Sequence, residues 1–173
     1  MKGTKKLVTS SLLLALALVL PFLTGQIPEI GNMLLPMHLP VLLAGFVVGG
    51  PSAMAIGAVA PLLRSMLWGM PPLFPKAISM AFELAAYGFV SGMIYSKSKK
   101  DTKSIFISLI VAMIAGRIVW GVVSLALYGI MGNVFTIALF ITEAFVNAIP
   151  GIILQLVLIP LLVSALKKTN TTL

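Results

Sequence analysis

The chain has no cysteine, a single histidine (His38) and only four acidic residues in 173 positions. Without cysteine there are no disulfides, thiolate metal sites or cysteine nucleophiles, and one imidazole cannot build a histidine metal cage. There is no GxxxxGK[ST] phosphate loop, so the chain does not hydrolyse ATP through that motif. No serine–histidine pairing and no Asp-rich metal motif stands out either. Charged residues of both signs make up 9% of the chain, against 60% hydrophobic residues and a mean hydropathy of +1.13. This is the composition of an integral membrane protein. Six spans of roughly 20 residues would take up about 120 positions, leaving short connections and no room for a soluble catalytic or nucleotide-binding domain.

A net charge of +8 invites a nucleic-acid reading, but the positions of the charges argue against it. Nine of the 12 basic residues sit in three clusters: Lys2, Lys5 and Lys6 before the first apolar run, Lys97, Lys99, Lys100 and Lys103 between two runs, and Lys167 and Lys168 after the last. Basic residues at the ends of spans mark the cytoplasmic face and its anionic lipid. The opening MKGTKKLVTSSLLLALALVLPFLTG has the basic and apolar regions of a secretory signal, yet no small-x-small cleavage site follows, so it reads as the first span.

Apolar periodicity and helix breakers predict one all-α membrane domain over residues 1–173, a compact bundle of six spans at about 6–23, 38–48, 52–68, 76–95, 104–128 and 135–166. Gly49-Gly50-Pro51 makes a turn, and GMPPLFP interrupts the chain after the third span. With the N-terminus inside, six spans return the C-terminus inside and bring all three lysine clusters to the cytoplasmic face. The opposite face receives 24–37, 69–75 and 129–134, which are rich in proline, glycine and apolar residues and carry a single charge, Glu29. These segments look more like lids than solvated connectors. The spacings Gly45-x3-Gly49 and Gly88-x3-Gly92 predict close helix approach.

Lys76 and Glu83 interrupt an otherwise lipid-like run. At about 100° per residue, Lys76, Met80, Glu83 and Tyr87 share one stripe of the fourth span. Glu83 lies roughly 10 Å below the outer end at 1.5 Å per residue. A carboxylate there costs at least ~2.5 kcal/mol against lipid, which predicts an inward orientation and a partner. Arg64 near the outer end of the third span, Arg117, Trp120 and Tyr128 on the fifth, and Glu143 and Asn147 at i, i+4 on the sixth all fall in the outer half. Interhelical pairs such as Arg64 with Glu83 or Arg117 with Glu143 would account for several of these residues. Their convergence favours a ligand cavity, with Trp68, Trp120 and Tyr128 available to stack on a flat heterocycle. His38 is expected at a helix end or cavity rim, with no metal role.

The stretches PMHLPVLLAGFVVGGPSAMAIGAVAPLLR at 36–64 and GMPPLFPKAISMAFELAAYGFVSGMIY at 69–95 carry a family likeness. The chain resembles the substrate-binding S components of energy-coupling factor (ECF) transporters, and within them the branch of pantothenate, pyridoxine, hydroxymethylpyrimidine and folate carriers. The resemblance implies an ABC-type importer subunit without a cofactor, which captures a water-soluble vitamin beneath outer loops 24–37 and 69–75. It implies partnership with a transmembrane coupling subunit and two ATPase subunits, and delivery of substrate by toppling in the bilayer. It also implies docking of the first span through two small residues spaced by three. Ser11-x3-Ala15 is the best match, with serine where the family has alanine.

Two other readings stand beside this one. An intramembrane enzyme would use Glu83 and Glu143 as paired acid and base, or as metal ligands with His38. A self-sufficient permease or channel would need no ATPase. The formal charges of Arg64, Lys76 and Arg117 against Glu83 and Glu143 leave +1, which suits a neutral or anionic ligand better than a cation. Pantothenate, with its carboxylate near Arg64 or Lys76, and a pyridoxine-like ring on Trp68 or Trp120 are the expected substrates.

Overall fold

The computed structural model describes residues 3–24 and 27–169. Lys2 of the first cluster, and Gly25 and Gln26 of the first outer loop, lie outside the described residues. Among the described residues every regular element is helical. In chain order these are α1 (Gly3–Val19), α2 (Pro28–Leu34), α3 (His38–Val48), α4 (Gly50–Trp68), α5 (Ile78–Ser96), α6 (Thr102–Ile130), α7 (Ile137–Ile141) and α8 (Ile149–Lys168). Helix α1 tightens into a 3₁₀ turn at Leu20–Thr24, a wide turn kinked at the extended Phe74 leads into α5 at Leu73–Ala77, and a π turn leads out of α7 at Thr142–Val146.

The helix ends follow local chemistry. Proline occupies the first turn of α2, α4 and α8, where its missing N–H costs nothing. Gly69 closes α4 in a left-handed conformation with φ 68°, its N–H bonded to the Ser65 carbonyl at 2.8 Å. Asp101 caps α6 by accepting from the Ser104 N–H at 2.8 Å and from the Ser104 hydroxyl. Those two donors hold the Asp101 carboxyl below the usual carboxylate range.

Among the described residues, five helical stretches are long and apolar enough to cross a membrane: Gly3–Thr24, Glu29–Val48, Leu73–Ser96, Thr102–Ile130 and Ile149–Lys168. The 19-residue α4 is not among them, since it carries Ser52, Arg64, Ser65 and two glycines. It packs against α3, α5 and α1, which bury Gly57, Arg64 and Ser65, while Met54, Val59, Met66 and Leu67 stay exposed. The chain therefore shows lipid a large apolar surface, including Leu7, Leu12, Leu23, Ile118 and Val122, while polar positions turn inward.

Close approach of α3, α4 and α5 builds the core. A Cβ on Gly88 would sit 2.5 Å from the Ala53 carbonyl oxygen, and Cβ atoms on Gly45, Gly57 and Gly92 would meet Ser91, Leu84 and Gly50 just as hard. Gly49 does not share in this contact, contrary to the Gly45-x3-Gly49 expectation. A Cβ there would meet nothing, and its φ of 87° makes the turn between α3 and α4.

Two segments depart from the sequence reading. The first outer loop is partly helical, since α2 lies within 24–37. The predicted sixth span is not one helix over 135–166. It breaks between the π turn and α8, at Asn147 and Ala148, because Pro150 cannot donate to the preceding turn and opens a new helix instead.

Helix ends place the lysine clusters. The cavity described below is lined by the ends of α1, α4 and α6 and by the starts of α3 and α5. The opposite ends of these helices carry Lys5 and Lys6, then Lys97, Lys99, Lys100 and Lys103. Lys167 joins this end, its ammonium 5.3 Å from the Tyr95 ring centre and bonded to the Lys100 carbonyl. The described lysines of all three clusters thus share the end of the bundle away from the cavity.

Candidate functional site

A cavity of about 540 Å³ opens at the end of the bundle remote from the three lysine clusters. That volume lies within the range of small-molecule sites. Eight of the ten residues singled out from sequence line it: His38, Arg64, Lys76, Glu83, Arg117, Trp120, Tyr128 and Glu143. Trp68 and Asn147 do not.

Glu83, Arg117 and His38 form a buried polar cluster, at 2%, 5% and 2% exposure. Arg117 Nη1 donates to Glu83 Oε1 at 2.8 Å, and His38 Nε2 stands 3.5 Å from the same oxygen without a hydrogen bond. The partner of Glu83 is therefore Arg117, so neither Arg64–Glu83 nor Arg117–Glu143 forms. The reason is helix adjacency: α5 packs along α6, where Gly116 lets the helices close until its Cβ position is 2.6 Å from the Tyr87 ring and 3.1 Å from the Glu83 carbonyl. Tyr87 lies beneath the cluster, its ring 5.3 Å from that of His38 in an edge-on contact.

Arg64 is buried at 3% exposure and turned toward α1. Its Nη1 donates to the Leu18 carbonyl at 2.6 Å. Three residues beyond Leu18 stands Pro21, which has no N–H to give as the helix tightens, so an arginine from another helix supplies a donor. The guanidinium lies 4.7 Å from the Phe22 ring centre and 5.5 Å from that of Trp68. Trp68 thus holds Arg64 instead of facing the cavity. Its own ring meets Phe22 edge-on at 5.3 Å.

Lys76 is exposed at the cavity mouth, on the wide turn before α5. Glu143 lines the cavity from the π turn after α7. Asn147 donates to Glu143 Oε1 at 3.2 Å but does not itself reach the cavity, because the wide turn, with Asn147 N–H bonded to the Thr142 carbonyl, rotates it off the α-helical stack. Aromatic rings form the wall beside α6. Trp120 meets Phe135 edge-on at 5.8 Å and stacks on Phe140 at 6.1 Å, and Tyr128 lies 5.4 Å from Phe135.

Sequence reasoning missed several lining positions. Asn32, on α2, is a polar residue inside an apolar lid segment and was legible on that ground. Ser79 bonds back to the Lys76 carbonyl at 3.0 Å, and nothing in its spacing separates it from ordinary helix serines. Phe135 reaches the cavity only because the chain is extended before α7.

On α1, Ser11 and Ala15 are exposed with Leu12 and Leu16, opposite the buried Leu13 and Ala17. A small-residue face is therefore open on the helix with few buried positions.

Comparison with known proteins gives the architecture a context. No solved structure matches the chain. The riboflavin transporter RibU of Staphylococcus aureus (strain TCH60) is 34% identical over 179 residues, covering 92% of this chain and 89% of that protein. The family model described as "ECF transporter, substrate-specific component" matches residues 5–163, nearly the whole helical bundle and every cavity-lining element. A multi-pass bundle with a solute-sized cavity at one end and three lysine clusters at the other thus belongs to the substrate-specific components of ECF transporters.

Proposed function

We propose that this chain captures riboflavin, or a close flavin, in the cavity between α3, α4, α5 and α6, on the outer side of the cell membrane. The observation that carries the reading is the pairing of an aromatic wall, Trp120, Tyr128 and Phe135, with the buried Glu83–Arg117–His38 cluster in one solute-sized cavity. A tricyclic ring needs apolar faces to stack on and a few fixed polar groups at its edge. The likeness to a riboflavin transporter over almost the full length supports the same substrate and turns the reading away from pantothenate and pyridoxine.

The remaining groups fit capture of a neutral molecule. Arg117 and Glu83 neutralise one another, Arg64 is engaged with α1, and Lys76 and Glu143 oppose each other in sign around the cavity. The chain crosses the bilayer six times, with α4 as the span packed against α3, α5 and α1 and the lysine end in the cytoplasm. The α2 lid segment and the 69–75 loop cover the bound ring. Ser11 and Ala15 dock on a transmembrane coupling subunit, two ATPase subunits supply the work, and the bundle topples to release its cargo.

The test is a titration of the detergent-purified chain with riboflavin, followed by flavin fluorescence quenching and by thermal unfolding. Ligand that binds only the folded state at a hundred times its Kd adds about 2.7 kcal/mol of apparent stability. Riboflavin is expected to quench and to stabilise, with pantothenate and pyridoxine inert at the same concentration. Stabilisation by either of those two, with none by riboflavin, would reverse the assignment.

A further inference from the structure

The guanidinium of Arg117 is only partly used. Its Nη1 end is held by Glu83, while Nε and Nη2, which form the side-on edge of the group, have no hydrogen-bond partner and are closed off from solvent. Buried donors on a charged group are normally satisfied, and leaving them open is costly. The edge is also held in place. Gly116 locks α6 against Tyr87 and the Glu83 carbonyl, so neither helix can slide without breaking the core.

The side-on edge of an arginine presents two parallel N–H groups in one plane, a fork that matches two adjacent acceptors lying in the plane of a ligand. A carboxylate is one such pair. Here Glu83 already balances the charge of Arg117, so a second carboxylate at this edge would have to share one guanidinium with the first. A neutral pair, a ring carbonyl oxygen beside a ring nitrogen with a lone pair, satisfies both donors without adding charge.

We infer that the Nε–Nη2 edge of Arg117 is the specificity element of this cavity, reading two neighbouring neutral acceptors on the edge of a planar heterocycle, with Glu83 as the residue that positions it. The inference rests on the riboflavin reading above. The isoalloxazine ring offers two such pairs, the 4-carbonyl with N5 and the 2-carbonyl with N1, and Arg117 takes one of them. Arg117 and Met80 both line this cavity, and a methionine is flexible enough to reshape a wall around an incoming ring.

The experiment compares riboflavin with 5-deazariboflavin and 1-deazariboflavin, in which C–H replaces N5 or N1 and the ring shape is kept. Dissociation constants are measured on the wild-type chain and on Arg117→Lys, which retains the charge opposite Glu83 but has no fork. On the wild type, one of the two analogues is expected to bind about tenfold to a hundredfold more weakly than riboflavin, the effect of losing a hydrogen bond from a charged donor. In Arg117→Lys that discrimination disappears, because riboflavin weakens to meet the analogue. If the lysine variant does not fold, the double variant Arg117→Gln with Glu83→Gln, which removes both charges together, serves in its place with the same expected outcome. Riboflavin binding with no discrimination between the analogues, or discrimination that survives both variants, overturns the inference and leaves the substrate reading standing. A wild-type chain that binds no flavin overturns the substrate reading and this inference with it.

Discussion

Glu83 is a carboxylate at 2% exposure in a span, and what makes it tolerable is one arginine 2.8 Å away. Removing either partner leaves the other charge buried and alone, which typically costs about 3–5 kcal/mol. Glu83→Ala is therefore expected to lower the thermal midpoint of the detergent-solubilised chain sharply even without ligand, and Glu83→Gln with Arg117→Gln should recover part of the loss. A single variant as stable as the wild type would show that the pair is not the anchor its geometry describes. The need for a partner was legible at Glu83 from sequence, because lipid penalises a lone carboxylate at any depth of the core. The identity of the partner was not. Arg64 and Arg117 both stand in the outer half, and only the packing of α6 on α5 and the capture of Arg64 by Leu18, Phe22 and Trp68 separate them.

Among the helices, the tightest constraint is the seam of α4 on α5. Gly88 and Gly121 give a paired test of it. A methyl at Gly88 would meet the Ala53 backbone at 2.5 Å, and backbone cannot step aside. A methyl at Gly121 would meet the Phe140 ring at the same distance, but that ring sits on the short α7 and can turn. Gly88→Ala should cost about 1–3 kcal/mol or more of stability, and Gly121→Ala clearly less, as measured by thermal unfolding of the two variants side by side. Equal losses would mean that α7 is held as rigidly as the core. The Gly88-x3-Gly92 spacing announced this seam, and Gly49-Gly50-Pro51 announced the turn that opens α4. The break in the sixth span was harder to see, because its apolar composition runs on through 135–166 while Pro150 and the π turn decide the geometry.

For the molecule as a whole, the absence of cysteine makes topology directly measurable. Asn133, between α6 and α7, and Lys99, between α5 and α6, are both exposed and lie at opposite ends of α6. In whole cells, Asn133→Cys is expected to react with a membrane-impermeant maleimide, whereas Lys99→Cys should react only after permeabilisation. Labelling of both from outside would contradict a cytoplasmic lysine face. The cavity and the exposed Ser11–Ala15 face occupy different parts of the bundle.

Composition alone determined that this protein lives in a membrane as a helical bundle, and the three lysine clusters determined which helix ends lie together. Lipid and the anionic cytoplasmic surface act on each residue by its own chemistry, whatever its neighbours. The tertiary structure alone decided that Arg117 and not Arg64 meets Glu83, that Trp68 grips an arginine instead of facing the cavity, and that Asn147 turns away from it. Each of these depends on the relative rotation and depth of two helices. A one-dimensional pattern gives the face of a single helix, but backbone approach at residues such as Gly88 and Gly116 sets how those faces meet.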